Sequence, residues 1–265
     1  MTPPKAAHEP HKLVVVGDIH AQEAKFWHLL RRAGLADAAR QPTAALRDPA
    51  TRLVLLGDLV HAKTRAAYAA LIGEGHYDEF HPPHLQRAER AQEAFLGRLK
   101  AFCDAAPGQV VILMGNHDYS AATGESGPLR SDDLAHLEWL PGYGNPLPAA
   151  LRDWILSWPS EVVFGGVHLA HVGPYPEHNR FDAGFYLENR RDWILEDRDL
   201  LAATPYRLGV YGHTPVRGGV HFASRGRALL LDMNGYRNEY AFLELTLTEG
   251  GPCLELQGCF FSERL

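Results

Sequence analysis

Short, unbroken runs of apolar residues, each followed by glycine and a polar residue, dominate the first half of the chain. They cover residues 13–16, 53–56 and 110–114. Continuous apolar runs, as opposed to alternating ones, are typical of strands buried on both faces, as in a parallel sheet. Residues 21–33 then carry apolar positions at helical spacing and predict a helix that ends at Gly34. The pattern therefore predicts a parallel sheet built from strand–turn–helix units.

The rest of the chain predicts more helices and then mostly strands. Helical spacing or composition covers the ranges 62–72, 85–103, 132–139 and 182–201. Loops are expected at 36–51 and over the remainder of 119–150. Strand patterns cover 161–172, with a hairpin turn at Gly165-Gly166, and then 207–211, 219–223, 228–232, 240–247 and 253–256. This order favours an α/β fold in which two mixed sheets pack as a sandwich flanked by helices.

Polar residues capable of binding metal follow five of the predicted strands. They are Asp18 and His20, Asp58, Asn116 and His117, His171, and His213. Ligands of α/β proteins bind beyond the carboxyl ends of strands, so these side chains stand where chemistry is expected. Oxygen and imidazole donors without a thiolate suit borderline divalent metals. The sequence therefore predicts a metal centre with two ions.

Composition and charge narrow the class of protein. The 265 residues carry a net charge of −6, so no overall basic field would draw the chain to nucleic acid or an anionic membrane. The three cysteines lack C-x-x-C spacing and indicate reduced thiols in a cytoplasmic protein. No signal peptide or membrane span is predicted. We expect a flexible tail at residues 1–11 and one domain over 12–265, with a cap-like insertion around 62–90.

Five short motifs occur in the order of one known family. The motifs are Gly17-Asp18-Ile19-His20, Gly57-Asp58, Gly115-Asn116-His117-Asp118, His171-Val172-Gly173-Pro174 and Gly212-His213-Thr214-Pro215. Together they resemble the signature blocks of the calcineurin-like metallophosphoesterases. The nearest resemblance is to the phosphoprotein-phosphatase branch, which includes bacterial Ser/Thr phosphatases and dinucleoside-tetraphosphate hydrolases. The resemblance implies a four-layer αββα fold and a phosphatase-type hydrolase.

The resemblance also assigns roles to the strand-end residues. It implies one metal bound by Asp18, His20 and Asp58, and a second bound by Asn116, His171 and His213, with Asp58 bridging the two. It implies two divalent ions, with Mn expected before Fe, Zn, Ni or Co, and hydrolysis by attack of a metal-bound hydroxide on phosphorus. His117 would protonate the leaving oxygen or stabilise its charge.

The second motif departs from the phosphatase branch. The branch carries Asp and Arg where this chain has His61 and Ala62. Lys63 or Arg65 is a candidate replacement for the phosphate-binding arginine. For a second phosphate-binding arginine, the candidates are Arg190, and then Arg180 and Arg191, although a solvated helix face explains these arginines equally well. Because an imidazole supports His117 less than a carboxylate does, His61 predicts a preference for good leaving groups.

The remaining histidines have structural interpretations. His168 lies three positions before His171, so the two point to opposite faces of a strand, and His168 is expected to be a buried structural residue. We expect surface or packing positions for His28, His136, His178 and His221. A third metal site at His61, His76, His81 and His84 is a lesser alternative.

The predicted reaction is hydrolysis of a phosphomonoester or a nucleotide phosphoanhydride, so the expected partner is a small phosphorylated substrate or a phosphoprotein. One alternative is a phosphodiesterase or nuclease of the same superfamily. Those enzymes commonly carry a second histidine at the fifth motif, where this chain has Pro215. The other alternative is a pseudoenzyme that binds a phosphate ligand, because the usual Asp and Arg are replaced. The sequence leaves the oligomeric state open.

Overall fold

Two mixed five-stranded sheets, with helices packed against them, make up the fold in a computed structural model. It describes residues 10–129, 131, 133–172, 201–202, 204–216, 219–223, 226–232 and 239–260. The predicted α/β sandwich is confirmed. The tail at 1–9, the helix at 182–201 except for its last residue, His178 and the candidates Arg180, Arg190 and Arg191 lie outside the described residues.

The described strands are β1 (Lys12–Val16), β2 (Thr51–Leu55), β3 (Val110–Ile112), β4 (Glu161–Phe164), β5 (Val167–Ala170), β6 (Leu208–Tyr211), β7 (Val220–Ala223), β8 (Ala228–Leu231), β9 (Glu239–Thr248) and β10 (Gly251–Phe260). The described helices are α1 (Glu23–Arg32), α2 (Ala44–Arg47), α3 (Arg65–Ile72), α4 (Pro82–Asp104), α5 (Asn116–Thr123) and α6 (Ala149–Leu156). The strand order is β10-β9-β1-β2-β3 in the first sheet and β4-β5-β6-β8-β7 in the second. The predicted hairpin at Gly165-Gly166 is confirmed as β4–β5.

The continuous apolar runs are explained by burial on both faces of the first sheet. Leu13 and Val15 of β1 belong to the cluster between the two sheets. Val14 and Val16 belong to the opposite cluster, which α1 and α4 cover with residues such as Phe26. Each of the four β1 side chains is fully buried. Such a strand has no solvent-facing side, so its sequence has no polar alternation.

The central strands end at a common edge where the sheets come together. β1 runs parallel to β2 and β2 to β3, while β5 runs parallel to β6 in the second sheet. An isolated parallel bridge joins Asp18, after β1, to Asp232, after β8. The loops that follow these strands therefore meet at one place, which is where the predicted metal ligands lie.

The predicted helix at 132–139 is wrong, since residues 133–139 are not helical. Leu134 and Leu137 have helical spacing, but they are buried in two different clusters. The backbone N–H of Ala135 donates to the Glu79 carboxylate instead of to a helical carbonyl. Helices α5 and α6 overlap the two ends of the region assigned to loop, and neither was predicted. Glycine and proline at their edges hid both short helices.

A buried lysine gives a prediction about stability. Lys25 of α1 is fully buried, and burial lowers the pKa of its ammonium to about 8 from 10.5. The unfolded chain therefore binds more protons between these values, so this residue makes the free energy of unfolding rise with pH from about 8 to 10.5. We expect Lys25→Met to remove that rise and to stabilise the protein at pH 7 by on the order of 2 kcal/mol. Urea unfolding at several pH values measures both. The exposed Lys100→Met is the control, and equal pH slopes for wild type and Lys25→Met would contradict the prediction.

Among the described residues, none of the helices is both long and apolar enough to span a bilayer.

Candidate metal centre

Six predicted ligands converge at the common edge of the sheets. Asp18, His20, Asp58, His171 and His213 lie in the loops after β1, β2, β5 and β6, and Asn116 is the first residue of α5, just beyond β3. Five of them are buried and His213 is half-buried. The donor atoms form two sets, Asp18–His20–Asp58 and Asp58–His171–His213. Within each set all the donor atoms lie within 4.8 Å of one another. Asp58 belongs to both sets.

The first set presents lone pairs to a common point. The Nδ1–H of His20 donates to the carbonyl oxygen of His61 at 3.0 Å, so Nε2 is the nitrogen left to bind a cation. That Nε2 lies 3.7 Å from Oδ2 of Asp18 and 3.7 Å from Oδ2 of Asp58. It is buried and has no hydrogen-bond partner in the described part of the chain. A backbone bond that fixes the imidazole tautomer is typical of metal-binding histidines, so these residues fit a cation.

The second set is oriented in the same way. His171 donates Nδ1–H to the carbonyl oxygen of Leu56 at 2.7 Å, which leaves Nε2 facing Oδ1 of Asn116 at 3.0 Å. The amide nitrogen of Asn116 donates to the carbonyl oxygen of Pro128, so its Oδ1 is directed inward. Nδ1 of His213 lies 2.8 Å from that Oδ1. Two imidazole nitrogens and an amide oxygen thus meet in a site that suits a borderline divalent ion.

The carboxylates create a local excess of negative charge. Burial opposes the charged form of Asp58, but the neighbouring His171, His117 and His20 hold the pKa of Asp58 well below its usual range. Burial also opposes the charged form of His171, yet Asp58 and Asp18 raise its pKa to about 9. In the ion-free protein a protonated histidine therefore balances the carboxylates. A bound cation would perform the same role and release that proton.

Glycines let the ligand loops approach closely. A Cβ on Gly115 would collide with the backbone nitrogen and the carboxylate of Asp58, and one on Gly212 would collide with Oδ1 of Asp18. Backbone strain is also concentrated here. Among the described residues, the non-glycine residues with positive φ, other than Arg40, lie in or beside the two sets: His20, Ala21, Asp58, His61, His136, Trp139 and His213. Such strain is often found at functional sites, where the surrounding structure holds it.

His117 lies beside both sets. Its backbone N–H donates to Oδ1 of Asp58 at 2.9 Å, and its ring packs edge-on against His20. Its Nδ1 lies 3.2 Å from Nδ1 of His61, so the residue that replaces the usual carboxylate contacts the candidate catalytic imidazole. Asp118 does not take that place, because its carboxylate accepts the backbone N–H groups of Leu59 and Gly115.

Sequence reasoning missed three residues on the far side of His61. His136 was expected at the surface or in packing, and it is buried with its ring stacked on His61 and edge-on to His117. Glu138 is fully buried with Oε2 at 4.0 Å from Nε2 of His61, and Trp139 also packs on His61. Burial raises the pKa of Glu138 to about 7. The His-x-Glu-Trp string was the available signal, but it lay inside an apparent helix.

The candidate phosphate-binding residues differ in position. Lys63 is half-buried. Burial of His117 and His213 is the main cause of their lowered pKa values, and the ammonium of Lys63 is one of the charges that lower them further. It therefore lies near the centre. Arg65 donates instead to the Glu79 carboxylate and to the carbonyl oxygen of Asp133.

The other histidines lie outside the two sets. His168 is buried between Tyr211 and Glu161, which it contacts at 2.9 and 2.8 Å. The rings of His76 and His81 both contact His84, whose Nδ1 accepts from the backbone N–H of Asp78. In the described chain His84 belongs to no three-ligand cluster.

The sequence matches the profile of the calcineurin-like phosphoesterases over residues 11–242. A search of curated proteins gives no significant match.

Solved structures share the fold at low sequence identity. A protein serine/threonine phosphatase from Saccharomyces cerevisiae has a TM-score of 0.58 and 14% identity, covering 98% of this chain and 83% of that one. A cold-active protein-tyrosine phosphatase from a Shewanella species has a TM-score of 0.55 and 17% identity, covering 92% and 80%. These likenesses concern the fold alone.

Proposed function

Since this chain belongs to the calcineurin-like phosphoesterase family, and so is a metal-dependent phosphoester hydrolase, we propose that it uses two divalent ions, with Mn the first candidate, to hydrolyse a phosphomonoester or a nucleotide phosphoanhydride. Asp18, His20 and Asp58 hold one ion, and Asp58, Asn116, His171 and His213 hold the other. The observation that carries the proposal is the position of Asp58, whose carboxylate belongs to both sets of donors.

The residues divide the chemistry between them. When bound, a pair of divalent ions would neutralise charge on the phosphate oxygens and would lower the pKa of a bound water to near neutrality. Asp58 also orients His117 by accepting its backbone N–H. His117 holds the proton that the leaving oxygen requires. Lys63 attracts the phosphate group, because its ammonium lies near the centre and is half-buried.

The substrate class follows from charge. A terminal phosphate carries two negative charges, which suit the ammonium of Lys63 in addition to the ions, whereas a diester carries one. The chain also has Pro215 where phosphodiesterases of this superfamily commonly carry a second histidine. Both points favour a terminal phosphate over an internal diester.

Turnover of two chromogenic substrates tests the proposal. Protein stripped with a chelator and reloaded with Mn should hydrolyse p-nitrophenyl phosphate at least about tenfold faster than bis(p-nitrophenyl) phosphate, in kcat/KM, and removal of metal should abolish both rates. A panel of phosphopeptides, diadenosine tetraphosphate and cyclic nucleotides then narrows the substrate.

Two results would overturn the proposal. Faster cleavage of the diester would make the chain a phosphodiesterase. Phosphate binding without turnover under any of Mn, Fe, Zn, Ni or Co would make it a pseudoenzyme.

A further inference from the structure

A line of buried polar groups runs away from His117. It passes from His117 to His61 and from His61 to Glu138. All three side chains are fully buried. The line starts in the first turn of α5, crosses the loop after β2, and ends in the irregular segment before α6. Three distant parts of the chain therefore supply it.

The end of this line away from His117 has atoms without hydrogen-bond partners. Nε2 of His61 and Oε2 of Glu138 both lack a hydrogen-bond partner within the described residues, and they face each other at 4.0 Å. That distance is longer than a hydrogen bond. A buried donor or acceptor without a partner is destabilising, so a small side-chain shift that joins these two atoms satisfies both. Catalytic hydrogen bonds are often long in ligand-free structures and shorten in the working complex.

The other oxygen of Glu138 holds the carboxylate in position. Oε1 accepts the hydroxyl of Tyr77 at 3.0 Å, and Tyr77 stacks on Tyr68 with ring centroids 4.3 Å apart. His136 and Trp139, on either side of Glu138, both have positive φ. The segment is therefore bent sharply at both sides of Glu138, and the bend directs this carboxylate toward His61.

We propose that Glu138 is a positioning residue for catalysis: by accepting Nε2–H of His61, it makes Nδ1 of His61 the acceptor for Nδ1–H of His117. The proposal rests on the proposed function above. In the phosphatases this chain resembles, a carboxylate at position 61 supports the catalytic histidine directly. In this arrangement Glu138 supports His117 indirectly, through His61. The neutral tautomer of His117 is then set with its proton on Nδ1, and its Nε2 is the nitrogen that takes up a proton and passes it to the leaving oxygen.

The tautomers can be observed directly in metal-free wild-type protein. Histidine-selective 15N NMR, assigned with the His61→Asp and His117→Asn variants, should show His61 with its proton on Nε2 and His117 with its proton on Nδ1. Glu138→Gln should reverse both, because the amide donates to Nε2 of His61. Wild-type protein with the proton on Nδ1 of His61 would overturn the proposal, whether or not any variant folds.

Kinetics test the consequence for catalysis. Glu138→Gln should lower kcat for phenyl phosphate by about 10- to 100-fold, which is a fraction of a full acid–base contribution. The KM for phenyl phosphate and the rate for p-nitrophenyl phosphate should stay within about threefold of the wild-type values. Glu79→Gln is the matched control, because Glu79 is a buried carboxylate in the same region that contacts Arg65 and Ala135 instead of His61. Equal effects of the two variants on both substrates would show a structural role only.

A double-mutant cycle identifies the route. In the His61→Asp background a carboxylate contacts His117 directly, so Glu138→Gln should then cost less than about threefold. An undiminished loss would show that Glu138 does not act through His61. Wild-type protein that hydrolyses no phosphoester would overturn the proposed function instead, while the tautomer measurement would still decide the arrangement of the three residues.

Discussion

Replacing Asp58 by asparagine is expected to release both metal ions and to lower kcat/KM by more than about 10³-fold. The carboxylate is the one group common to the two sets of donors, and its oxygens lie 3.7 Å from Nε2 of His20 and 3.5 Å from Nε2 of His171. A bridging carboxylate holds two cations about 3.5–4 Å apart in spite of their repulsion. An amide has the same size but no charge, so the second set of donors loses its carboxylate and the first keeps only that of Asp18. Elemental analysis and calorimetric titration with Mn measure the effect.

Asp18→Asn provides the contrast within the same site. Asp18 belongs to one set of donors only, so this variant should lower the affinity for one ion strongly and the affinity for the other only slightly. Glu89→Gln controls for the loss of a buried carboxylate, since Glu89 contacts Asn145 and belongs to neither set. If Asp58→Asn keeps one ion at wild-type affinity, the carboxylate does not bridge.

Replacing His117 by asparagine is expected to lower kcat by about 10²- to 10⁴-fold while both ions stay bound. The loss should be largest for phenyl phosphate, whose leaving oxygen is basic and needs a proton. It should be smallest for p-nitrophenyl phosphate, whose leaving group departs as an anion. The backbone N–H that contacts Asp58 survives the substitution, so the metal ligands keep their positions. Steady-state kinetics on the two substrates, with metal analysis of the same samples, measures the effect.

His221→Asn is the control for this prediction, because His221 is exposed and lies on β7. It should leave both rates within about twofold. An equal loss on both substrates for His117→Asn, or a loss of metal, would show that His117 supports the centre and does not transfer a proton.

The convergence of the candidate ligands was predictable because each of them lies shortly after the end of a strand. Asp18 lies two residues beyond the end of β1 at Val16, and Asp58 lies three residues beyond the end of β2 at Leu55. Parallel neighbours end at one edge, so short-range sequence is enough to bring these side chains together. Burial on both faces also made the central strands readable as unbroken apolar runs.

The surroundings of His117 were decided by tertiary contacts alone. The spacing of Leu134 and Leu137 predicts a helix, yet each leucine is buried by a different part of the protein, and the Glu79 carboxylate takes a backbone N–H that a helix would use. Periodicity along the chain does not register a hydrogen bond across 56 residues.

The sequence by itself predicted the sandwich of two sheets, the reaction class and the convergence of six candidate ligands, because these depend on local runs and on motifs attached to strand ends. The resemblance indicated the contact between His61 and His117, whereas only the tertiary structure decided that Glu138 lies behind His61. Those contacts join segments 56 and 77 residues apart in the chain. They depend on loops whose bent backbones are held by the surrounding core, and no local propensity specifies such a conformation.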